Sequence, residues 1–115
     1  MLKFAVFVSG GGTDLQSIID AKQAGKINGE IALVISNRQK AYGLQRAKDA
    51  GIETAVVKKD DALIVKMLKE RNIDFIVLAG YLAILTDELI DAYPNKIMNI
   101  HPSLIPSFCA TYCTL

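Results

Sequence analysis

Two short runs of this chain carry residue types whose spacing can do chemistry. The first is Ser9-Gly10-Gly11-Gly12-Thr13, which follows the apolar run Phe4-Ala5-Val6-Phe7-Val8 and precedes a segment of helical period. Backbone N–H groups unhindered by side chains can there converge on an anion at the positive end of the helix, and phosphate is the natural ligand. A tight turn that binds nothing is the plain alternative. The second run is Asn99-Ile100-His101-Pro102-Ser103. Period-two alternation sets Asn99 and His101 on one side of a strand end, roughly 6.5 to 7 Å apart along it, with Ile100 pointing the other way. One ligand group can touch both. His101 is the only histidine in the chain, hence the only side chain whose unperturbed pKa lies near neutrality. A histidine satisfied by a backbone carbonyl at a loop start is the alternative there. A third run, Ala79-Gly80-Tyr81-Leu82-Ala83-Ile84-Leu85, is apolar enough either to wall a pocket for a flat, partly aromatic ligand or to belong to the core.

Several chemistries are disfavoured. No Gly-Lys-Ser/Thr follows the glycines, so the loop is not a Walker A motif. Leu15 occupies the third glycine's place in the dinucleotide fingerprint, and the second strand ends in Ser36-Asn37 rather than in an acid. A carboxylate at Asp14 repels phosphate unless it only caps the helix. There is no Gly-x-Ser-x-Gly elbow, and Ser103 is local to His101 rather than a separately placed nucleophile. Cys109 and Cys113 with His101 make three ligands at a spacing that is no standard knuckle, so no metal is expected and the cysteines read as free thiols. Thirteen Lys+Arg against twelve Asp+Glu leave a formal net charge of +1, with the signs interspersed, which argues against nucleic acid or anionic lipid as partner. Lys58-Lys59 and the set Lys66, Lys69 and Glu70 read as solvated faces. No apolar run approaches the roughly 18 residues of a bilayer span and no cleavable leader is evident, so no membrane partner and a cytoplasmic location are expected.

The elements that must position these loops follow from hydrophobic pattern. At 115 residues and 51% hydrophobic, the chain suits one globular unit. Phe4–Val8, Ile31–Ile35, Thr54–Val57, Phe75–Ala79 and Lys96–Ile100 read as strands. Helical segments between them carry stripes at Leu15, Ile18 and Ile19, at Leu44, Ala47 and Ala50, and at Ile64, Met67, Leu68 and Arg71. Thr13 or Asp14 is expected to cap the first helix, Asp60 or Asp61 to start the third, and Thr86 to cap a fourth that Pro94 ends. About five strands with helical connections imply an α/β fold, a Rossmann-like, doubly wound and mostly parallel sheet with ligands at the carboxyl ends of its strands. That edge carries the loops at Ser9–Asp14, Ser36–Asn37, Gly80–Leu85 and Asn99–Pro106.

Taken together, Val8-Ser9-Gly10-Gly11-Gly12-Thr13-Asp14-Leu15-Gln16, Ser36-Asn37, Val77-Leu78-Ala79-Gly80-Tyr81-Leu82 and Asn99-Ile100-His101-Pro102-Ser103-Leu104-Ile105-Pro106 resemble the phosphoribosylglycinamide formyltransferases, in family order, from about residue 3 to Cys109. The resemblance implies transfer of a formyl group from 10-formyltetrahydrofolate, as co-substrate and without metal, to the amine of glycinamide ribonucleotide in purine biosynthesis. It implies Gly12, Thr13 and Asp14 as the phosphate site and Leu82, Ala83, Ile84, Leu85 and Asn99 as the folate site. Asn99 and His101 are implied as the catalytic pair, hydrogen-bonding the formyl oxygen and, as imidazolium, stabilising the oxyanion or passing a proton. Asp14 stands where many members have asparagine and Ala83 where several have arginine. Residues 1–109 correspond to the family's N-terminal nucleotide-binding half, and 110–115 diverge from it. The expectation is a truncated member with little turnover that pairs with a second copy to form a homodimer. The other readings weighed are a non-catalytic phosphate-binding fragment, a methionyl-tRNA formyltransferase and a formyltetrahydrofolate hydrolase.

Overall fold

A computed structural model describes residues 2–100. His101, Pro102–Pro106, Cys109, Cys113 and the 110–115 segment therefore lie outside the described residues, and with them the expectations that His101 is catalytic and that the cysteines are free thiols. The elements run β1 (Leu2–Val8), α1 (Thr13–Gln23), β2 (Gly29–Ser36), α2 (Tyr42–Asp49), β3 (Thr54–Val56), α3 (Asp61–Glu70), β4 (Phe75–Ala79), α4 (Asp87–Ala92) and β5 (Ile97–Ile100). The strands form one sheet in the order β3-β2-β1-β4-β5, and every pairing is parallel. The sheet is thus wholly rather than mostly parallel, and its order reverses between β1 and β4.

Alternation along the strands divides the core in two. Ala5, Phe7, Ile76, Leu78 and Ile97 join Ile64 and Leu68 of α3 and Leu89 of α4 on one face. Phe4, Val6, Val8, Val77 and Ala79 join Leu15, Ile18 and Ile19 of α1 and Leu44 and Ala47 of α2 on the other. Both faces of the central strands are covered, which is why their sequences read as continuous apolar runs. In β2 the strict alternation breaks. Phe4 pairs with Ile31 but Ala5 with Leu33, a register shift that leaves Ala32 over. The extra residue puts Ile31 on the α1/α2 face and Leu33 and Ile35 on the other.

The helix starts correct two expectations. Neither Thr13 nor Asp14 caps α1: its N-cap is Gly12, at φ 77°, with no side-chain cap. Thr86 is the N-cap residue of α4 but makes no capping bond. Its hydroxyl instead donates to Asp61 Oδ2 at 2.6 Å, and its N–H to the same oxygen at 2.9 Å. Asp60 does cap α3, accepting the Leu63 N–H at 3.1 Å. Arg71, expected to lie along α3, donates to the Met67 carbonyl and pairs bidentately with Glu53, which holds the Glu53 carboxyl below its usual pKa.

Gly12 is the point where the loop after β1 meets α2. A Cβ there would fall 2.5 Å from Gly43 Cα, in a left-handed conformation that side chains disfavour. The expected consequence is selective. Gly12→Ala should lower stability by about 2 kcal/mol or more, from backbone strain and overpacking together. Gly10→Ala, where a Cβ meets nothing within 4 Å, should stay within about 0.5 kcal/mol. Urea unfolding of the two variants checks the contrast.

Candidate functional site

All five strands point the same way, so the loops singled out in the sequence leave one edge of the sheet, and the reversal of strand order opens a crevice between the ends of β1 and β4. Ser9, directly after β1, is 1% exposed. Its hydroxyl donates to Asn37 Oδ1 at 2.6 Å and accepts the Leu82 N–H at 2.8 Å. One side chain thereby ties the loops after β1, β2 and β4 together.

The glycine-rich loop is held from behind. Gly43 N–H donates to the Gly10 carbonyl at 3.1 Å, and Arg46 Nε to the Gly11 carbonyl at 2.7 Å. The Arg46 guanidinium also stacks over Tyr42, 5.0 Å from the ring centroid. With those carbonyls drawn toward α2, the first α1 turn has its amides free of the helix ladder, which begins with Gln16 N–H to the Gly12 carbonyl at 2.8 Å. The amides of Thr13, Asp14 and Leu15 are the unladdered donors that an anion can use. Asp14 is half-buried in that turn, on a helix whose N-cap offers no side chain.

The loop after β4 is anchored at both ends and bare in the middle. Leu82 amide is bound by Ser9, and Thr86 by Asp61. Leu82 and Ile84 are 77% and 85% exposed, whereas Leu85 is 5% exposed and packs in the core. Leu82, Ala83 and Ile84, with Tyr81 and Asn37, line a cleft of about 470 Å³ that Lys58, Lys59 and Asp61 complete. Leu85 does not line it, because it is the plug that fastens the loop to the sheet. Tyr81 sits edge-on to Phe7, ring centroids 5.2 Å apart. Burial, with a smaller contribution from the Asp61 charge, pushes its hydroxyl up to about 12.

Asn99 is half-buried near the end of β5, in register with Leu78. Met98 and Ile100 pack on the α1/α2 face and Ile97 on the other, so alternation gives Asn99 the face of α3 and α4. Two strand spacings, roughly 10 Å, separate β5 from β1. Sequence reasoning missed Gly43, Arg46 and the contribution of Lys58 and Lys59 to the cleft. The Gly-x-x-Arg spacing opening α2 is compatible with a loop clamp, but nothing local says which loop it meets.

Comparison with known proteins gives the following. The profile of the formyl transferase family matches residues 2–112. The phosphoribosylglycinamide formyltransferase of Haemophilus influenzae is 49% identical over 117 residues, covering 94% of this chain and 55% of that protein. Glycinamide ribonucleotide transformylase 1 of Symbiobacterium toebii superposes with a TM-score of 0.84 at 40% identity, covering 94% of this chain and 55% of that one. Its counterpart from Geobacillus kaustophilus gives 0.85 at 38%, covering 96% and 63%. The chain spans about half the length of the curated relatives it matches.

Two outcomes follow from the geometry. Ser9→Ala removes the acceptor of the part-buried Leu82 amide and should cost about 0.5–1.5 kcal/mol, with hydrogen exchange at that amide accelerating about tenfold or more. Tyr81 keeps its proton in the folded protein up to about pH 12, whereas an unfolded tyrosine loses it near ~10. The stability it confers is complete below the unfolded value and is lost as pH rises through this window. Urea midpoints measured across it should fall less steeply in Tyr81→Phe than in the parent.

Proposed function

The chain belongs to the formyl transferase family, and on that premise we propose that it forms the nucleotide-binding half of a phosphoribosylglycinamide formyltransferase of purine biosynthesis. Glycinamide ribonucleotide and 10-formyltetrahydrofolate are its substrates, residues 1–109 are the family half, and the cytoplasm is its compartment. The ribonucleotide phosphate sits on the Gly12, Thr13 and Asp14 turn. The folate lies against Leu82, Ala83 and Ile84, which Leu85 holds in place. The substrate amine attacks the formyl carbon, and the tetrahedral intermediate places negative charge on the formyl oxygen, toward which Asn99 donates. His101, as imidazolium, shares that charge or passes the proton that the amine sheds as the folate nitrogen departs. Donors preorganised in this way typically contribute about 2.7–4 kcal/mol each to the transition state.

The observation that supports this reading best is the Ser9 bridge, 2.6 Å to Asn37 and 2.8 Å to Leu82. It couples the glycine-rich turn to an apolar wall across the point where the strand order reverses, as a reaction joining a phosphorylated amine to a flat donor requires. No helix among the described residues is long and apolar enough to cross a membrane.

Calorimetric titration with glycinamide ribonucleotide tests the assignment. Binding is expected without folate present, and it should weaken about tenfold or more in Gly11→Glu, which brings a like charge to the turn. A Cβ at Gly11 meets nothing within 4 Å, so the substitution introduces no backbone clash, and an unchanged urea midpoint checks that the variant is folded. Absence of heat at millimolar ligand, or equal affinity in parent and variant, would overturn the reading.

A further inference from the structure

We propose that Arg46 is a positioning residue of the phosphate turn: by hydrogen-bonding the Gly11 carbonyl it aims the Gly12 amide at the anion. The ligand class is a phosphate monoester. Its place on the turn rests on the function proposed above, whereas the role of Arg46 is read from the bonds behind the loop.

The peptide bonds of the loop are trans, and in a trans unit the C=O and the N–H that follows it point in opposite directions. Whatever holds a carbonyl therefore also sets the amide after it. Gly43 N–H holds the Gly10 carbonyl at 3.1 Å, and Arg46 Nε holds the Gly11 carbonyl at 2.7 Å. Both bonds come from α2, so the amides of Gly11 and Gly12 are turned away from it. Successive amides facing one way make a concavity for an anion, here joined to the unladdered amides at the start of α1. Glycine backbone has no steric reason to stop at this orientation, so a bond from outside the loop must fix it. For Gly12 that bond comes from a side chain.

Arg46 is committed to it. The guanidinium lies over the Tyr42 ring at 5.0 Å, and Nη1 donates to Gln16 Oε1 at 3.3 Å. Asp49, which lines the same groove as Arg46, accepts instead from Gln45 at 2.8 Å. Asp20 accepts from Gln16 at 2.9 Å. Among the described residues Arg46 takes part in no ion pair. An arginine with an acid three positions on in its own helix region has a charge partner within reach. That it binds a neutral carbonyl 35 residues away in sequence means that the loop, not charge pairing, decides its place.

The test uses two side chains that end where Arg46 Nε lies. Glutamine carries its amide nitrogen at that position and methionine a methyl group. Arg46→Gln therefore keeps a neutral donor to Gly11 and Arg46→Met keeps none, while both lose the charge and the stacking over Tyr42. Inorganic phosphate is titrated into the 115-residue chain and followed at the Gly12 amide by nitrogen–proton correlation NMR, with glycinamide ribonucleotide titrated in parallel by calorimetry. Phosphate should shift the Gly12 amide of the parent. Its affinity should fall about tenfold in Arg46→Met but only about threefold in Arg46→Gln. Before phosphate is added, the Gly12 resonance of Arg46→Gln should lie nearer the parent's than that of Arg46→Met, a difference that lost stability alone does not produce. Urea midpoints check that both affinities are read on folded protein. An unshifted Gly12 amide, parent affinity in Arg46→Met, or equal losses in the two variants would overturn the proposal. If phosphate behaves as expected while glycinamide ribonucleotide gives no heat, Arg46 keeps its role and the ribonucleotide assignment fails.

Discussion

The hydroxyl of Ser9 is the contact on which the functional edge of this protein depends. It is buried at the end of the central strand, where a polar group must be paired, and it is paired with both neighbours at once: it gives its proton to Asn37 and takes one from the Leu82 amide. A backbone amide and a side-chain carbonyl from two flanking loops are thereby held at hydrogen-bond distance from a third. In a parallel sheet the loops leaving one edge have no ladder bonds between them. Without such a bridge their relative positions would rest on side-chain packing alone, and their exposed residues, Leu82 and Ile84, have little to pack against.

The rest of the edge is built by opposition. Arg46 and the Gly43 amide pull the Gly10 and Gly11 carbonyls toward α2, while the α1 amides face the other way. The close approach of Gly12 to Gly43 makes this possible, because a Cβ at Gly12 would overlap Gly43 Cα and one at Gly43 would press on Val8 Cγ2 at 3.1 Å. The helix dipole, the direction of the carbonyls and the missing Cβ atoms thus act together on one turn. The loop after β4 repeats the scheme with different means, Leu85 acting as an apolar anchor and Asp61 as a polar one.

Much of the framework was legible in the sequence because strands buried on both faces must be apolar throughout. Phe75–Ala79 matches the observed β4 residue for residue, and the other strands differ from the runs only at their ends. What was not legible depends on partners distant in the chain. The shift at Ala32 arises from pairing with β1, and a run such as Ile31–Ile35 looks the same with or without it. Leu82, Ile84 and Leu85 are indistinguishable as apolar letters, yet two face solvent and one fills the core. The capping residues misled for a related reason. Thr86 has the right type for a cap, but an acid at the start of α3 competes for its hydroxyl and wins. Lys58 and Lys59 read as a solvated pair because a cavity wall is defined by what stands across from it.

The order of the strands also has a consequence in time. β1 acquires β2 after a single helical connection, but its other neighbour is β4, joined where the Lys3 amide meets Asp74, 71 residues further along the chain. While a new polypeptide is being made at about 5–20 residues per second, the innermost strand of the finished sheet remains an open edge for some seconds. Phe4–Val8 is then the apolar, unpaired segment that invites the wrong partner. Loops closed across so long a separation are also the slow ones to form. The seam that carries the crevice is therefore the seam that a growing chain must keep out of trouble longest, so the arrangement that makes a binding edge also sets where misassembly begins.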